Sequence, residues 1–276
     1  MQKVSSASNK QPGFRTFELS DPSIGLAGLR FVTVKSPSLK RRADIVLYVP
    51  DTAGQKKDLP LILLLHGVYG SAWAWALSGA AHLAAEKLIR QQLLPDCIIA
   101  MPSDGLWGDG SGYLAHGGCD YEKWIVDEVP AAARMAVPAL SEKSPLFIAG
   151  LSMGGYGAIR IGAKYGHLFR GISGHSSITA FEQLSLFVEE PLDAYEPARL
   201  ENKDLANMLC HAARRLPPLR FDCGKNDLLI EPNRLLHRQL EEKGIAHQYL
   251  EFDGEHNWDY WKTHINDTLV FFSHLL

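Results

Sequence analysis

The chain has 276 residues, of which 46% are hydrophobic and 21% are charged, with 24 glycines and 15 prolines. These proportions are ordinary for a globular protein, and they exclude a collagen-like, coiled-coil or disordered chain. The formal net charge of −3, with no long run of one sign, argues against a surface that binds nucleic acid or an anionic membrane.

The sequence also lacks the signals of a membrane, secreted or metal-finger protein. Its longest aliphatic run, Leu61–Leu65, is far shorter than the roughly 20 apolar residues of a membrane-spanning helix. The opening residues MQKVSSASNKQPGF contain no apolar core of a secretory signal, so we expect a cytoplasmic protein. No metal site is predicted, because four cysteines stand singly, without paired spacing: Cys97, Cys119, Cys210 and Cys223.

The first predicted elements are two strands, at 28–36 and 43–50, separated by a turn with basic residues. They could form an antiparallel edge of a sheet. The run LPLILLLHG at 59–67 is almost continuously apolar, which is typical of a strand buried on both faces. A helix is predicted after it from apolar residues at helical spacing: Trp73, Ala76, Leu77, Ala80, Leu83, Ala84 and Leu88.

The alternation of strands and helices continues to the end of the chain. Further strands are predicted at 97–103, 145–152, 169–177, 219–224 and 247–254, and helices near 120–135 and from Met153. A last helix should dock on the sheet through one apolar side: Trp258, Trp261, Ile265, Leu269, Phe272 and Leu276. The pattern predicts an α/β fold in one domain over 1–276, with a mostly parallel central sheet and helices on both faces.

Two stretches interrupt this alternation. Residues 104–118 are rich in glycine and aromatic residues, and residues 178–216 are polar and helix-like without a strand. We expect both to lie over one end of the sheet, the second as a small cap-like insertion. Residues 1–27 form an extension before the first predicted strand.

The strongest chemical motif is a G-x-S-x-G sequence, Gly150-Leu151-Ser152-Met153-Gly154, between a predicted strand and a predicted helix. In that context a serine sits on a sharp, strained turn, and only small residues fit two positions before and after it. A serine hydroxyl is a weak nucleophile and needs a base, and the base needs a carboxylate to orient it. The motif therefore predicts Ser152 as a nucleophile.

The two partners of that serine are predicted from chain order and strand ends. Asp227 follows the strand LRFDCG and His256 follows the strand HQYLEFDG, at the sheet edge where Ser152 also lies. Asp222 and the neighbours of His256 in sequence, Asp253 and Glu255, are competitors for the acid. Asp227 is preferred because a loop after a strand can reach the imidazole.

The loop His66-Gly67-Val68-Tyr69-Gly70 follows the third predicted strand. An α/β-hydrolase supplies one oxyanion-hole amide from this loop and the other from the residue after the nucleophile. We therefore assign the backbone N–H groups of Val68 and Met153 to the oxyanion hole. His66 is expected to brace the loop.

Several stretches together resemble one known family. LLLHGVYGS, AMPSDGLW, FIAGLSMGGYGAIR, DCGKNDLL and GEHNWDYW, spread over residues 43–276, are similar to the esterase D superfamily of α/β-hydrolases, in particular to its tributyrin-esterase-like carboxylesterases. The resemblance implies the α/β-hydrolase fold, with Ser152 as nucleophile, Asp227 as acid and His256 as base. That superfamily also contains S-formylglutathione hydrolases, feruloyl and acetylxylan esterases, and mycolyltransferases, so the triad does not settle the substrate.

These residues predict a serine carboxylesterase that hydrolyses short-chain acyl esters of small molecules through an acyl-enzyme, without metal or organic cofactor. Trp107 and Tyr69 are assigned to substrate binding. The alternatives are an S-formylglutathione hydrolase-like thioesterase, a carbohydrate (acetyl or feruloyl) esterase, an acyltransferase, and a non-catalytic binding module on the same fold. The thioesterase is disfavoured because the loop HGVYGS lacks the cysteine that such enzymes carry there. A homo-oligomer stays open.

Overall fold

The computed structural model describes residues 13–21, 23–24, 27–195 and 204–276. The strands of this part are β1 (Phe17–Leu19), β2 (Leu29–Lys35), β3 (Arg42–Tyr48), β4 (Leu61–Leu65), β5 (Ile98–Pro102), β6 (Ala115–His116), β7 (Cys119–Asp120), β8 (Leu146–Leu151), β9 (Phe169–His175), β10 (Leu219–Gly224) and β11 (Gln248–Phe252). Its α-helices are α1 (Ala74–Leu77), α2 (Ala81–Arg90), α3 (Tyr121–Lys123), α4 (Val129–Ala136), α5 (Met153–Lys164), α6 (Leu205–Ala212), α7 (Ile230–Glu242) and α8 (Trp258–Ser273). Single turns of 3-10 helix lie at Asp51–Gln55, Phe181–Leu186, Leu192–Tyr195 and Ala213–Arg215, and a π-helical turn lies at Trp124–Glu128.

The central sheet has the strand order β1-β2-β3-β5-β4-β8-β9-β10-β11 within the described ranges. The strands from β5 to β11 in this order pair in parallel, whereas β1, β2 and β3 pair antiparallel along one edge. The predicted mostly parallel sheet with an antiparallel edge is therefore confirmed. β1 lies in the segment before the first predicted strand and extends that edge by one short strand.

Helices cover both faces of the sheet, because successive side chains of its central strands point to opposite sides. In β4, Leu61, Leu63 and Leu65 pack into one apolar cluster together with α3 to α7. Ile62 and Leu64 pack into a second cluster with α1, α2 and α8. Since β4 is buried on both faces, it needs the near-continuous apolar run that marks it in the sequence.

The helix predicted after β4 is in fact two helices, and its predicted apolar side is partly wrong. The chain leaves α1 at Leu77 and passes through Gly79 and a left-handed Ala80 before α2 begins. α1 and α2 therefore do not share one helix axis, and on α1 Leu77 is 67% exposed whereas Trp75 is buried. Period counting cannot anticipate such a break, because it assumes one unbroken helix axis.

The other differences are additional elements and shifted ends. α7 and the β6–β7 hairpin were not predicted from the sequence. The insertion predicted at 178–216 contains α6 and three 3-10 turns, while its residues 196–203 lie outside the described part. The helix predicted near 120–135 contains the π-helical turn, which ends two residues before Pro130, whose missing N–H and bulky ring disturb regular α-helical bonding. Leu276 lies beyond the end of α8 and is exposed.

A buried ion pair fixes α5, the helix that follows the predicted nucleophile. Arg160 on α5 donates hydrogen bonds to the Glu122 carboxylate and to the backbone oxygen of Tyr113. Glu122 also accepts from Lys164 Nζ and from the Tyr165 hydroxyl, each at 2.7 Å. Burial alone raises the pKa of Glu122, but Arg160, Lys164 and Tyr165 outweigh it and lower the pKa to about 2 from an ordinary 4.5.

The substitution Glu122→Gln should destabilise the fold, because it leaves the Arg160 charge buried without its carboxylate. A pKa lowered from 4.5 to about 2 corresponds to about 3 kcal/mol of stability. Since the folded-state pKa is the lower one, this contribution is complete above pH 4.5 and is lost as the pH falls towards 2. Urea unfolding of wild type and variant should differ by this amount at pH 7 and by much less at pH 3.

Glu142→Gln is the matched control, because Glu142 forms an exposed ion pair with Arg134. It should cost less than about 1 kcal/mol at either pH. A gap between wild type and Glu122→Gln that stays constant from pH 7 to pH 3 would contradict the assigned pKa.

Candidate active site

The predicted nucleophile lies on a strained turn between β8 and α5. Ser152 has φ 53° and ψ −119°, a backbone conformation that non-glycine residues rarely adopt. Its N–H donates to the backbone oxygen of His175 at the end of β9, at 2.8 Å. Ser152 is only 2% exposed and lies at the edge of the sheet where the parallel strands end.

The glycines of the G-x-S-x-G sequence are required by close backbone contacts. A Cβ atom on Gly150 would lie 2.3 Å from the backbone oxygen of Gly154. A Cβ atom on Gly154 would lie 2.4 Å from the backbone oxygens of Leu65 and His66. These neighbours are backbone atoms of α5, of β4 and of the residue after β4, so they cannot move aside as a flexible side chain could. The turn therefore tolerates only glycine at both positions.

A chain of hydrogen bonds joins the three residues that the sequence placed at strand ends. The Ser152 hydroxyl lies 3.0 Å from His256 Nε2, and His256 Nδ1 lies 2.9 and 3.0 Å from the two carboxylate oxygens of Asp227. Because a carboxylate only accepts, Nδ1 carries the imidazole proton and Nε2 is free to accept the serine proton. Asp227 is buried and also accepts the backbone N–H of Leu229 at 2.8 Å.

The loop after β4 lies beside the start of α5. Met153 is the first residue of α5, so its N–H is one of the helix-start donors that no helical carbonyl can reach. The Tyr69 N–H donates to the backbone oxygen of Asp109 at 2.7 Å, which fixes the loop next to Val68. The Met153 sulfur accepts the N–H of Gly112 at 3.3 Å, so the 104–118 stretch also packs against this helix start.

His66 braces this loop, as expected. Its Nε2 accepts the backbone N–H of Asp104 at 3.0 Å, and its Nδ1–H donates to the backbone oxygen of Gly67 at 2.7 Å. Its backbone oxygen accepts the hydroxyl of Tyr113 at 3.0 Å. With both ring nitrogens used, the imidazole links the loop after β4 to the loop after β5.

Known proteins similar to this chain identify its family. A family model described as "Putative esterase" matches residues 36–272. The chain belongs to this esterase family. The protein is a carboxylic ester hydrolase of the serine type, as the sequence predicted.

Individual relatives agree with this assignment. The acetyl esterase of Caldicellulosiruptor saccharolyticus is 27% identical to this chain over 268 residues, which cover 86% of this chain and 95% of the relative. A ferulic acid esterase structure has a TM-score of 0.76 and 20% identity, covering 94% of this chain and 99% of its own. An S-formylglutathione hydrolase from Staphylococcus aureus has a TM-score of 0.74 and 19% identity, covering 92% and 98%. The predicted α/β-hydrolase fold is thus confirmed.

Two of the three competing acids, Asp222 and Asp253, have other partners. Asp222 is fully buried, where its carboxylate lies 2.9 Å from His175 Nδ1 and accepts the Tyr260 hydroxyl at 2.7 Å and a guanidinium N–H of Arg220. Burial alone raises the pKa of Asp222, but His175 and Arg220 outweigh it and lower the pKa well below the usual range. Asp253 is exposed and pairs with a lysine, Lys225, at 2.8 Å.

The structure places the two predicted substrate-binding residues in different surroundings. Trp107 packs edge-on against His116 and Tyr195, with ring centroids 4.4 and 4.9 Å apart. Tyr69 is 68% exposed, and its hydroxyl donates to the backbone oxygen of Phe187 in the insertion. Their contact with substrate stays a prediction.

Two aromatic rings at the imidazole were not predicted as site residues. Phe187 stacks on His256 with ring centroids 5.4 Å apart and planes 23° apart. Trp261 meets His256 edge-on at 5.0 Å and 87°. Trp261 was expected only as a core residue of the last helix. Phe187 lies in a polar stretch without a motif, so only tertiary packing reveals its position.

Among the residues that the structure describes, no group of three or more His, Cys, Asp and Glu side chains is arranged to hold a metal ion. Within the same ranges, no helix combines the length and apolar character needed to span a bilayer.

The Asp222 network lies directly beneath the turn that holds Ser152, because the backbone oxygen of His175 accepts the Ser152 N–H. Asp222→Asn should therefore lower the free energy of unfolding by about 3–5 kcal/mol, since it leaves the Arg220 charge buried without a carboxylate. Urea denaturation at pH 7 measures this loss. Asp253→Asn, at an exposed carboxylate, is the control and should leave the free energy of unfolding nearly unchanged. Equal stability of the two variants would contradict a structural role for Asp222.

Proposed function

We propose that Ser152, His256 and Asp227 are the catalytic triad of this esterase and that it hydrolyses short-chain acyl esters of small molecules. The single observation that carries the proposal is the hydrogen-bonded chain from the Ser152 hydroxyl through His256 to Asp227. The three groups come from the ends of three different strands and meet in the order that serine hydrolysis requires.

In the first half-reaction, Ser152 Oγ attacks the ester carbonyl carbon while His256 Nε2 takes the hydroxyl proton. The resulting oxyanion is bound by the N–H groups of Val68 and Met153, and such a donor is worth about 2.7–4 kcal/mol of barrier. Collapse breaks the bond to the alcohol oxygen, which leaves with the proton from His256. Acyl-Ser152 remains.

In the second half-reaction, water attacks the acyl-enzyme and gives its proton to His256 Nε2. Collapse of the second oxyanion releases the carboxylic acid and returns the proton to Ser152. Asp227 holds Nδ1–H throughout, which fixes the tautomer and stabilises the imidazolium that forms twice in each cycle. The Asp227 carboxylate itself is not protonated at any step.

The short acyl chain is supported by the similarity to an acetyl esterase over most of both chains. Phe187 stacks on the imidazole and is linked to Tyr69, so the insertion borders the site and supports a short acyl chain. A thioester substrate is the second candidate, since a similar fold occurs in an S-formylglutathione hydrolase at 19% identity. The loop at 66–71 has no cysteine, which favours the oxygen ester.

The triad is tested by Ser152→Ala and Asp227→Asn. Ser152→Ala should abolish turnover of p-nitrophenyl butyrate and labelling by a fluorophosphonate, because no nucleophile remains. Asp227→Asn should lower kcat by about 10⁴-fold, as loss of the orienting carboxylate does in serine proteases. Asp253→Asn, the nearby exposed carboxylate, is the control and should leave kcat unchanged. Folded wild-type protein with neither turnover nor labelling would refute the proposal in favour of a binding module.

Acyl length is tested by comparing p-nitrophenyl acetate, butyrate and octanoate, with S-formylglutathione as the thioester. We expect the highest kcat/KM for the acetate or butyrate ester, because the insertion borders the site. A steady rise towards octanoate, or a preference for the thioester, would contradict the assigned substrate class. Adding an alcohol acceptor reports acyl transfer, which should remain minor beside hydrolysis.

A further inference from the structure

The His256 imidazole is enclosed by two aromatic rings from distant parts of the chain. Trp261, in the first turn of α8, contacts it edge-on, and Phe187, between the 3-10 turns of the insertion, stacks on its face. Trp261 is close to His256 in sequence, and the start of α8 holds its ring beside the imidazole. Phe187 is 69 residues away in the chain, so its position depends on what holds the insertion in place.

A hydrogen bond ties Phe187 to the predicted oxyanion loop. The Tyr69 hydroxyl donates to the Phe187 backbone oxygen, and Tyr69 is the residue after Val68. Desolvation, followed by the neighbouring carboxylates Asp109, Glu189 and Glu190, raises the pKa of Tyr69. The phenol therefore keeps the proton that it donates.

Two further hydrogen bonds tie the same segment to the loop after β5. The Asp109 carboxylate accepts the Glu189 N–H at 2.8 Å, and the Glu190 carboxylate accepts the Asp109 N–H at 3.1 and 3.2 Å. The Asp109 backbone oxygen accepts the Tyr69 N–H. Phe187 is therefore held by a closed set of contacts with the loop that contains Val68.

An imidazole needs this support because two hydrogen bonds do not fix its plane rigidly. The χ2 torsion of histidine is broad, and the Asp227 bond holds only one edge of the ring. A ring stacked on one face removes orientations in which Nε2 turns away from Ser152. It also covers that face of the imidazole from water.

We propose that Phe187 is a positioning residue that holds the His256 ring in its reactive plane, and that the hydrogen bond from the Tyr69 hydroxyl holds Phe187 in place. The inference rests on the proposed function, because it concerns the base of that triad. It gives the insertion a part in catalysis, distinct from the substrate-binding role predicted for Tyr69. Neither side chain takes part in bond making.

The test compares Phe187→Leu, Phe187→Tyr, Tyr69→Phe and the control Leu186→Ala, at a neighbouring side chain that is 62% exposed. Phe187→Leu should lower kcat about tenfold at unchanged KM, because misplacing a general base costs part of its 10²–10⁴-fold contribution. The factor should be the same for the acetate and butyrate esters and for the rate of fluorophosphonate labelling. Phe187→Tyr should restore kcat to within about twofold of wild type, since it keeps the stacking ring.

Tyr69→Phe should show a smaller loss of kcat, about threefold, because the other ties of the segment remain. Leu186→Ala should match wild type in every readout. Melting temperatures of all variants separate a loss of fold from a loss of alignment.

Three results would overturn the inference. A rise in KM that depends on acyl length would make Phe187 a wall of the acyl pocket. A fall in kcat that follows the melting temperature and recurs in Leu186→Ala would make its role purely structural. Unchanged kcat and labelling in Phe187→Leu, with wild type active, would show that the stack does not position the base. Inactive wild type would instead refute the proposed function.

Discussion

The contact of Gly154 with the backbone oxygens of Leu65 and His66 is the constraint on which the site depends. It brings the start of α5 against the end of β4 so closely that no side chain fits between them. Ser152 completes the turn with φ 53°, and the first N–H groups of α5, which have no helical acceptor, follow it directly. One close packing contact therefore sets the positions of both the Ser152 side chain and the Met153 amide beside it.

Such a turn stores backbone strain, and buried polar groups beneath it hold it in place. His175 accepts the Ser152 N–H through its backbone and contacts Asp222 through its ring. Further along the helix, Arg160 ties α5 to Glu122. Buried charges are costly to desolvate, so removing one partner of either pair would leave the other charge buried and unpaired.

The insertion adds a contact that the parallel sheet cannot supply. Strand ends place Ser152, Asp227 and His256 together, because all three follow parallel strands at the same edge. The strand ends do not cover the face of the His256 imidazole. Phe187 does so from a segment of 3-10 turns that is held by side chains and backbone of the loops after β4 and β5.

The sequence by itself determined the sheet, its buried central strands and the three residues that the hydrogen-bonded chain joins. These features follow from local rules: apolar runs, glycines around a strained serine, and loops at strand ends. Tertiary structure alone decided that α1 and α2 are separate, that Asp222 binds His175, and that Phe187 covers His256. The last two depend on contacts between residues far apart in the chain, and periodicity and spacing carry no information about which distant side chains meet.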